Sequence, residues 1–261
     1  MNKLNTSVIF SIQRSGTTFL DQKLNGMSGN LWRSEPRQGG EPLSLEFFQK
    51  HNIEDCYLPT AQLEAECTES NFKILLNKQE HGEHGFKLNR QFLNEWCESS
   101  NYPCFNIMAN QILRRPEYLE GCDKPIIFLI RKNQWRRAMS SWVMENTELP
   151  AHIHKPIDQP IEVIMNKQSV IWECEDGVQV VLKFKESIQH MPNVKFLYYE
   201  DICRKEYWTN NLVQEMENFM GLNFCDKDFW PKLLPTRRAI NILNSDEFKD
   251  QELIDKYWIG E

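Results

Sequence analysis

Residues Ser7–Leu20 read SVIFSIQRSGTTFL, and no other stretch limits the possible folds as sharply. β-branched and aromatic side chains run as far as Ile12 and favour an extended, pleated segment. Gln13-Arg14-Ser15-Gly16-Thr17-Thr18 interrupts that run, and helix-forming residues follow over 18–26. The pattern predicts a strand, a tight glycine turn and a helix N-terminus. Such a turn gathers backbone N–H groups into one small space with the positive end of a helix dipole behind them, which is a seat for phosphate. The GxxxxGK[ST] loop that grips nucleoside triphosphates needs a further glycine and a lysine, both absent here. Arg14 supplies the positive charge instead, so the loop suits a phosphate whose chemistry does not centre on a γ-phosphoryl group and Mg²⁺.

A second basic strand end lies further along. Pro125–Ile130 (PIIFLI) is continuous and Ile-rich, in the manner of a parallel strand buried on both faces. Arg131 follows it directly, and Gln134–Glu145 reads as a helix with Trp135, Ala138, Met139 and Trp142 near helical spacing. Ser140 lies on that helix, nine residues after Arg131. An arginine fork and a hydroxyl so placed can hold a second phosphate; the plainer alternative is an arginine paired with a surface carboxylate.

The remaining chain predicts a loop over 27–45, mixed helical signals over 60–80, a short strand at Gly85–Leu88 and a helix near 90–98. A long helical region over 160–190, interrupted at Gly177, comes next. A strand at Val194–Tyr199, a helix over 208–220 and a closing region from Asp246 to Trp258 complete the reading. Strands alternating with helices imply an α/β fold whose parallel sheet is covered on both faces. Ligands of such sheets bind at the carboxyl ends of the strands. If the strands preceding Arg14 and Arg131 are neighbours, both basic loops face one crevice.

Composition narrows the function classes. The 261 residues are read as a single domain, 1–261, and are enough to bury a substantial core. A net charge of −7 argues against general nucleic-acid binding, which needs a basic face. The basic residues cluster nonetheless: Arg131, Lys132, Arg136 and Arg137 in one place, Arg237 and Arg238 in another. A locally basic cleft on an acidic protein suits a small polyanion, although solvated surface charge would leave the same pattern. Eight scattered cysteines without a CxxC pair fit a reduced, cytoplasmic protein with small buried thiols. His81 with His84, and His152 with His154, lack partners at ligand spacing, so no metal is expected. The longest clean apolar run, Ile126–Ile130, falls far short of the roughly 20 residues of a spanning helix, and no membrane anchor is expected.

Taken together, these motifs resemble the sulfotransferases that use 3′-phosphoadenosine 5′-phosphosulfate (PAPS). Within them the chain is most similar to the bacterial trehalose 2-sulfotransferase group. That group's SQRSGST-like loop matches Ile12–Thr18. Its GEPxEFF-like segment matches Gly40-Glu41-Pro42 and Glu46-Phe47-Phe48, with two extra residues between. Its GGKLMW-like strand matches Gly85–Asn89, and its HRxDxxxQAVSxW-like element matches Ile130–Trp142 with the Arg131-to-Ser140 spacing kept. An arginine-rich loop before an SDEW-like helix start matches Arg237-Arg238 and Ser245–Phe248. The matches keep their order over nearly the whole chain.

The resemblance implies a P-loop-type three-layer sandwich with a central parallel sheet, PAPS as sulfate donor and no metal. It implies that Arg14, Ser15, Gly16, Thr17 and Thr18 grip the 5′-phosphosulfate end. Arg131 and Ser140 would grip the 3′-phosphate, with Arg238, or Arg237, closing over it. Glu46 is the first candidate for general base, and Glu41 and Glu35 compete with it. Lys87 would stabilise charge near the transferring group, and Arg14 would do so at the bridging oxygen. The implied acceptor is a carbohydrate or small-molecule hydroxyl; the oligomeric state is left open. Two other classes stay open at this point: a P-loop nucleotide or small-molecule kinase, and a non-catalytic nucleotide-binding relative.

Overall fold

The computed structural model describes residues 7–28, 104–109, 113, 124–147, 160–231 and 240–260, with Cys104–Met108 described by their backbone alone. Among these residues the strands are β1 (Ser7–Ser11), β2 (Cys104–Met108), β3 (Ile126–Ile130), β4 (Ile161–Val163), β5 (Val194–Tyr198) and β6 (Ile240–Ile242). The helices are α1 (Thr17–Met27), α2 (Gln134–Asn146), α3 (Lys167–Ile188), α4 (Asn210–Met220) and α5 (Gln251–Lys256). The predicted elements over 60–98 lie outside the described residues, as does the loop beyond Ser28.

Four strands form a parallel sheet in the order β2-β1-β3-β5. β1 and β3 are buried at every position, because neighbours and helices cover both faces. Their side chains divide by the two-residue period of a strand. Val8, Phe10, Ile12, Ile126, Phe128 and Ile130 meet Val181, Phe184 and Ile188 of α3. Ile9, Ile127 and Leu129 meet Leu20, Leu24 and Met27 of α1 and Val213, Met216 and Met220 of α4. The Phe184 ring sits edge-on to Phe10 and Phe128, with centroids 5.1 and 4.8 Å away. The architecture is a three-layer α/β sandwich, and its central strands are the two that lead into the basic loops.

A third cluster fixes α2. Trp135 stacks on Phe248 and Tyr257, and its indole N–H donates to the Phe248 carbonyl at 2.9 Å. The C-terminal segment also holds the β3–α2 turn directly: Ile259 N–H donates to the Lys132 carbonyl (2.8 Å), and Gln134 N–H donates to that of Tyr257 (3.0 Å).

The region 160–190 differs from the sequence reading. Ile161–Val163 leaves the helical series and pairs in parallel with Ile240–Ile242 as a separate two-stranded ladder. Asn244 brackets Met165 with hydrogen bonds to both its N–H and its carbonyl, and Asn166 caps α3 by accepting from Ser169 N–H at 2.9 Å. The helix therefore begins at Lys167. Gly177 does not interrupt it: a Cβ there would lie 2.1 Å from Nη2 of Arg137, so glycine is needed for close approach. β2 was not foreseen; its CFNIM sequence lacks alternation, and pairing with β1 defines it. Among the described residues no helix is long and apolar enough to cross a membrane.

Candidate active site

β1 and β3 pair in parallel, Val8 opposite Ile126 and Phe10 opposite Phe128, so their carboxyl ends open on the same edge. The β1–α1 turn has two residues in the left-handed region, Arg14 at φ +63° and Gly16 at φ +94°. Glycine enters that region freely, whereas an arginine there carries strain. α1 starts at Thr17, and its first N–H groups have no intrahelical acceptor. Asn133, Asn166, Thr209 and Asp250 cap the other described helices with their side chains, but Gly16 has none to offer, and α1 has no acidic residue in its first turn. Among the described residues no side chain caps the start of α1.

Two arginines cross between the loops. Nη1 of Arg131 donates to the backbone carbonyl of Arg14 at 3.0 Å, and Nε of Arg14 donates to the Ser140 hydroxyl at 3.0 Å. One hydrogen-bonded set thus joins the glycine turn, the end of β3 and the second turn of α2. Nε of Arg131 and the Ser15 hydroxyl are buried and have no hydrogen-bond partner among the described residues. Thr17 is buried, and Thr18 and Ser140 are half-buried. Burial first, then the neighbouring Arg131 charge, pulls the Arg14 guanidinium down to about 10. Burial likewise lowers Arg131, while Tyr199 and Glu200 pull in the other direction. Both guanidiniums remain protonated at neutral pH. Two like charges sharing a desolvated corner are costly, and a bound dianion offsets that cost.

The four-residue basic cluster separates in space. Arg131 faces the first loop. Lys132 pairs with Asp201 at 2.8 Å, and Arg136 is exposed. Arg137 turns into the α2–α3 interface, donating to Gln134 Oε1 (2.6 Å), Glu173 Oε1 (2.7 Å) and the Glu173 carbonyl (2.6 Å). It is a structural cation with its donors engaged. Glu46, Glu41, Glu35, Lys87, Arg237 and Arg238 lie outside the described residues.

Sequence reasoning missed Tyr199 and Glu200. The Tyr199 ring packs on Gly16, where a Cβ would come within 2.3 Å of Cδ2, and its face is 5.4 Å from the Arg131 guanidinium. Glu200 accepts hydrogen bonds from the backbone N–H groups of Lys132 (2.8 Å) and Asn133 (3.1 Å). The available signal was position: both residues directly follow β5, at the same edge of the sheet as the two basic loops.

No protein-family model matches the sequence, and no curated protein matches it. Among solved structures, the chain is similar to the sulfotransferase domain from the Synechococcus PCC 7002 olefin synthase, with 13% identity and a TM-score of 0.42. The similarity covers 98% of this chain and 88% of that one. A likeness at this level assigns no chemistry, which has to come from the site itself.

Proposed function

We propose that the chain is a PAPS-dependent sulfotransferase. One observation carries this reading: two arginines that follow adjacent parallel strands, and a helix hydroxyl, converge beside a helix N-terminus that no side chain among the described residues caps. The Arg131 Nε and Ser15 hydroxyl, without a partner among the described residues, are donors of the kind that phosphate oxygens satisfy. The Arg14–Thr18 turn would hold the 5′ end of the nucleotide, and Arg131 with Ser140 its 3′-phosphate, with Arg238 completing the grip. The Ser140 hydroxyl accepts from Arg14 Nε and keeps its own O–H to donate to a phosphate oxygen, so one hydroxyl links the two halves of the grip. When bound, the nucleotide supplies a sulfuryl group for in-line displacement by an acceptor hydroxyl.

The protein's own tasks are then electrostatic and acid–base. Arg14, the N–H groups of the turn and Lys87 stabilise negative charge on the bridging oxygen, in a site organised before reaction. Glu46 takes the proton of the attacking hydroxyl as general base. The acceptor is a carbohydrate hydroxyl, as in the trehalose-modifying group the sequence resembles.

Calorimetry with adenosine 3′,5′-bisphosphate against ATP–Mg²⁺ tests the donor. Micromolar binding of the bisphosphate is expected, weakened at least about tenfold by Arg131→Ala, the scale of a lost charged hydrogen bond. Equal or tighter ATP–Mg²⁺ binding would instead indicate a kinase.

A further inference from the structure

We propose that Glu200 is the positioning residue of the 3′-phosphate clamp: its carboxylate fixes the β3–α2 turn so that Arg131 presents its guanidinium across the crevice. The proposal rests on the donor reading above and adds to it a residue outside the binding loops.

The geometry starts at the end of β5. The 3₁₀ turn Tyr199–Asp201 follows that strand, closed by the N–H groups of Ile202 and Cys203 on the Tyr199 carbonyl at 3.1 and 2.9 Å. β5 is the neighbour of β3, with Ile130 opposite Tyr198, so this turn emerges beside Arg131. Its three side chains then take different partners. Tyr199 lies against Gly16 and under Arg131, Glu200 binds the Lys132 and Asn133 N–H groups, and Asp201 pairs with the Lys132 ammonium.

Glu200 makes two charge-assisted bonds to the two residues that follow Arg131. These are short, directional contacts, stronger than bonds between neutral groups. Together with the bonds from Ile259 and to Tyr257 at the same turn, they fix the backbone on the carboxyl side of Arg131, while β3 fixes the other side. They also occupy the two backbone N–H groups that directly follow Arg131, so an anion beside Arg131 cannot use them. That leaves the Arg131 and Ser140 side chains as the donors this loop offers in the reading above. The negative charge of Glu200 further favours the protonated guanidinium next to it. Held this way, Arg131 keeps one buried N–H without a partner among the described residues. A side chain free to relax would turn that group to water.

The discriminating measurement compares two probes that differ in one group: adenosine 3′,5′-bisphosphate and adenosine 5′-monophosphate, which lacks the 3′-phosphate. Calorimetry on wild type, Glu200→Ala and Glu200→Gln gives the ratio of the two dissociation constants. We expect Glu200→Ala to weaken the bisphosphate about tenfold or more while the monophosphate changes less than about twofold. Glu200→Gln, which keeps an acceptor oxygen but not the charge, should fall between wild type and Ala. Thermal melts confirm folding; if the Ala variant does not fold, the Gln variant alone decides, with an expected threefold or greater fall in the ratio. A ratio unchanged by the substitution, or equal weakening of both probes, overturns the positioning role and leaves the donor reading standing. Wild-type protein with no preference for the bisphosphate overturns the donor reading and this proposal with it.

Discussion

Gly16→Ala tests whether the glycine turn and the end of β5 are built around each other. The substitution brings two separable costs. The first is backbone: Gly16 has φ +94°, and a side chain in the left-handed region costs roughly 1–2 kcal/mol. The second is steric: the new methyl would sit 2.3 Å from Cδ2 and 2.5 Å from Cε2 of Tyr199, so the ring must retreat by about 1 Å to reach ordinary contact. It has little room to do so. Phe19 meets it edge-on with centroids 6.3 Å apart, and the Arg131 guanidinium lies 5.4 Å over its face. Overpacking of this kind costs about 1–3 kcal/mol. The sum is about 2–5 kcal/mol, a large share of the roughly 5–15 kcal/mol that stabilises a typical domain.

A double-mutant cycle separates the two costs. In a Tyr199→Ala background the methyl has space, and only the backbone part should remain. Urea unfolding of wild type, both single variants and the double variant should give a coupling of about 1–3 kcal/mol between positions 16 and 199. Additivity to within about 0.5 kcal/mol would show that the ring does not restrain the turn. The idea that β5 holds the anion loops in place would then lose its first support.

Two further outcomes are expected. Glu46→Gln should leave the dissociation constant for adenosine 3′,5′-bisphosphate unchanged but cut sulfate transfer at least about a hundredfold, measured with the acceptor that gives the fastest wild-type turnover; normal transfer would put the base elsewhere, with Glu41 and Glu35 next in line. Lys23 is buried on α1 with its ammonium near the faces of Trp208 and Trp230 (5.0 and 5.5 Å) and donating to the Phe229 carbonyl, and burial pulls its pKa from the usual 10.5 down to about 8. Between pH 8 and 10.5 the unfolded chain binds more protons than the folded one, so this residue should make stability rise with pH across that window; a Lys23→Met variant with the same pH slope as wild type in urea unfolding would refute the depressed pKa.

The layers of the fold were legible wherever one local rule governed a segment. PIIFLI has no polar position, and a strand without one must be covered on both faces; β3 is buried throughout. The helix after Arg131 was legible from its spacing and starts where the side chain of Asn133 caps it, by accepting from Arg136 N–H at 2.8 Å. The errors lie where partners distant in sequence decide. Ile161, Ile164 and Ile171 fit a helical stripe, yet Ile161 pairs with Ile240, almost 80 residues away, and Ile164 is left exposed. Gly177 looked like a break because glycine usually weakens a helix. Its absent Cβ is occupied by Arg137, and nothing at 177 could announce that.

The same distinction divides the candidate site. Arg131 could be singled out because it directly follows an apolar strand, and Arg14 because it comes three residues after one, in the turn before a helix; a charge in such a position has a meaning set by topology alone. That they touch depended on β1 and β3 being neighbours, a fact of sheet order that neither segment carries. Once that order exists, the third strand at the same edge acquires a task as well. β5 ends beside β3, and the residues after it are the first able to hold the β3–α2 turn from outside. Tyr199 and Glu200 meet that requirement with a ring and a carboxylate. Two arginines kept close together against their mutual repulsion need such outside support whenever no anion lies between them. An arginine pair built this way holds its shape while the crevice is empty, and its rigidity should therefore depend on residues that never touch an anion bound there.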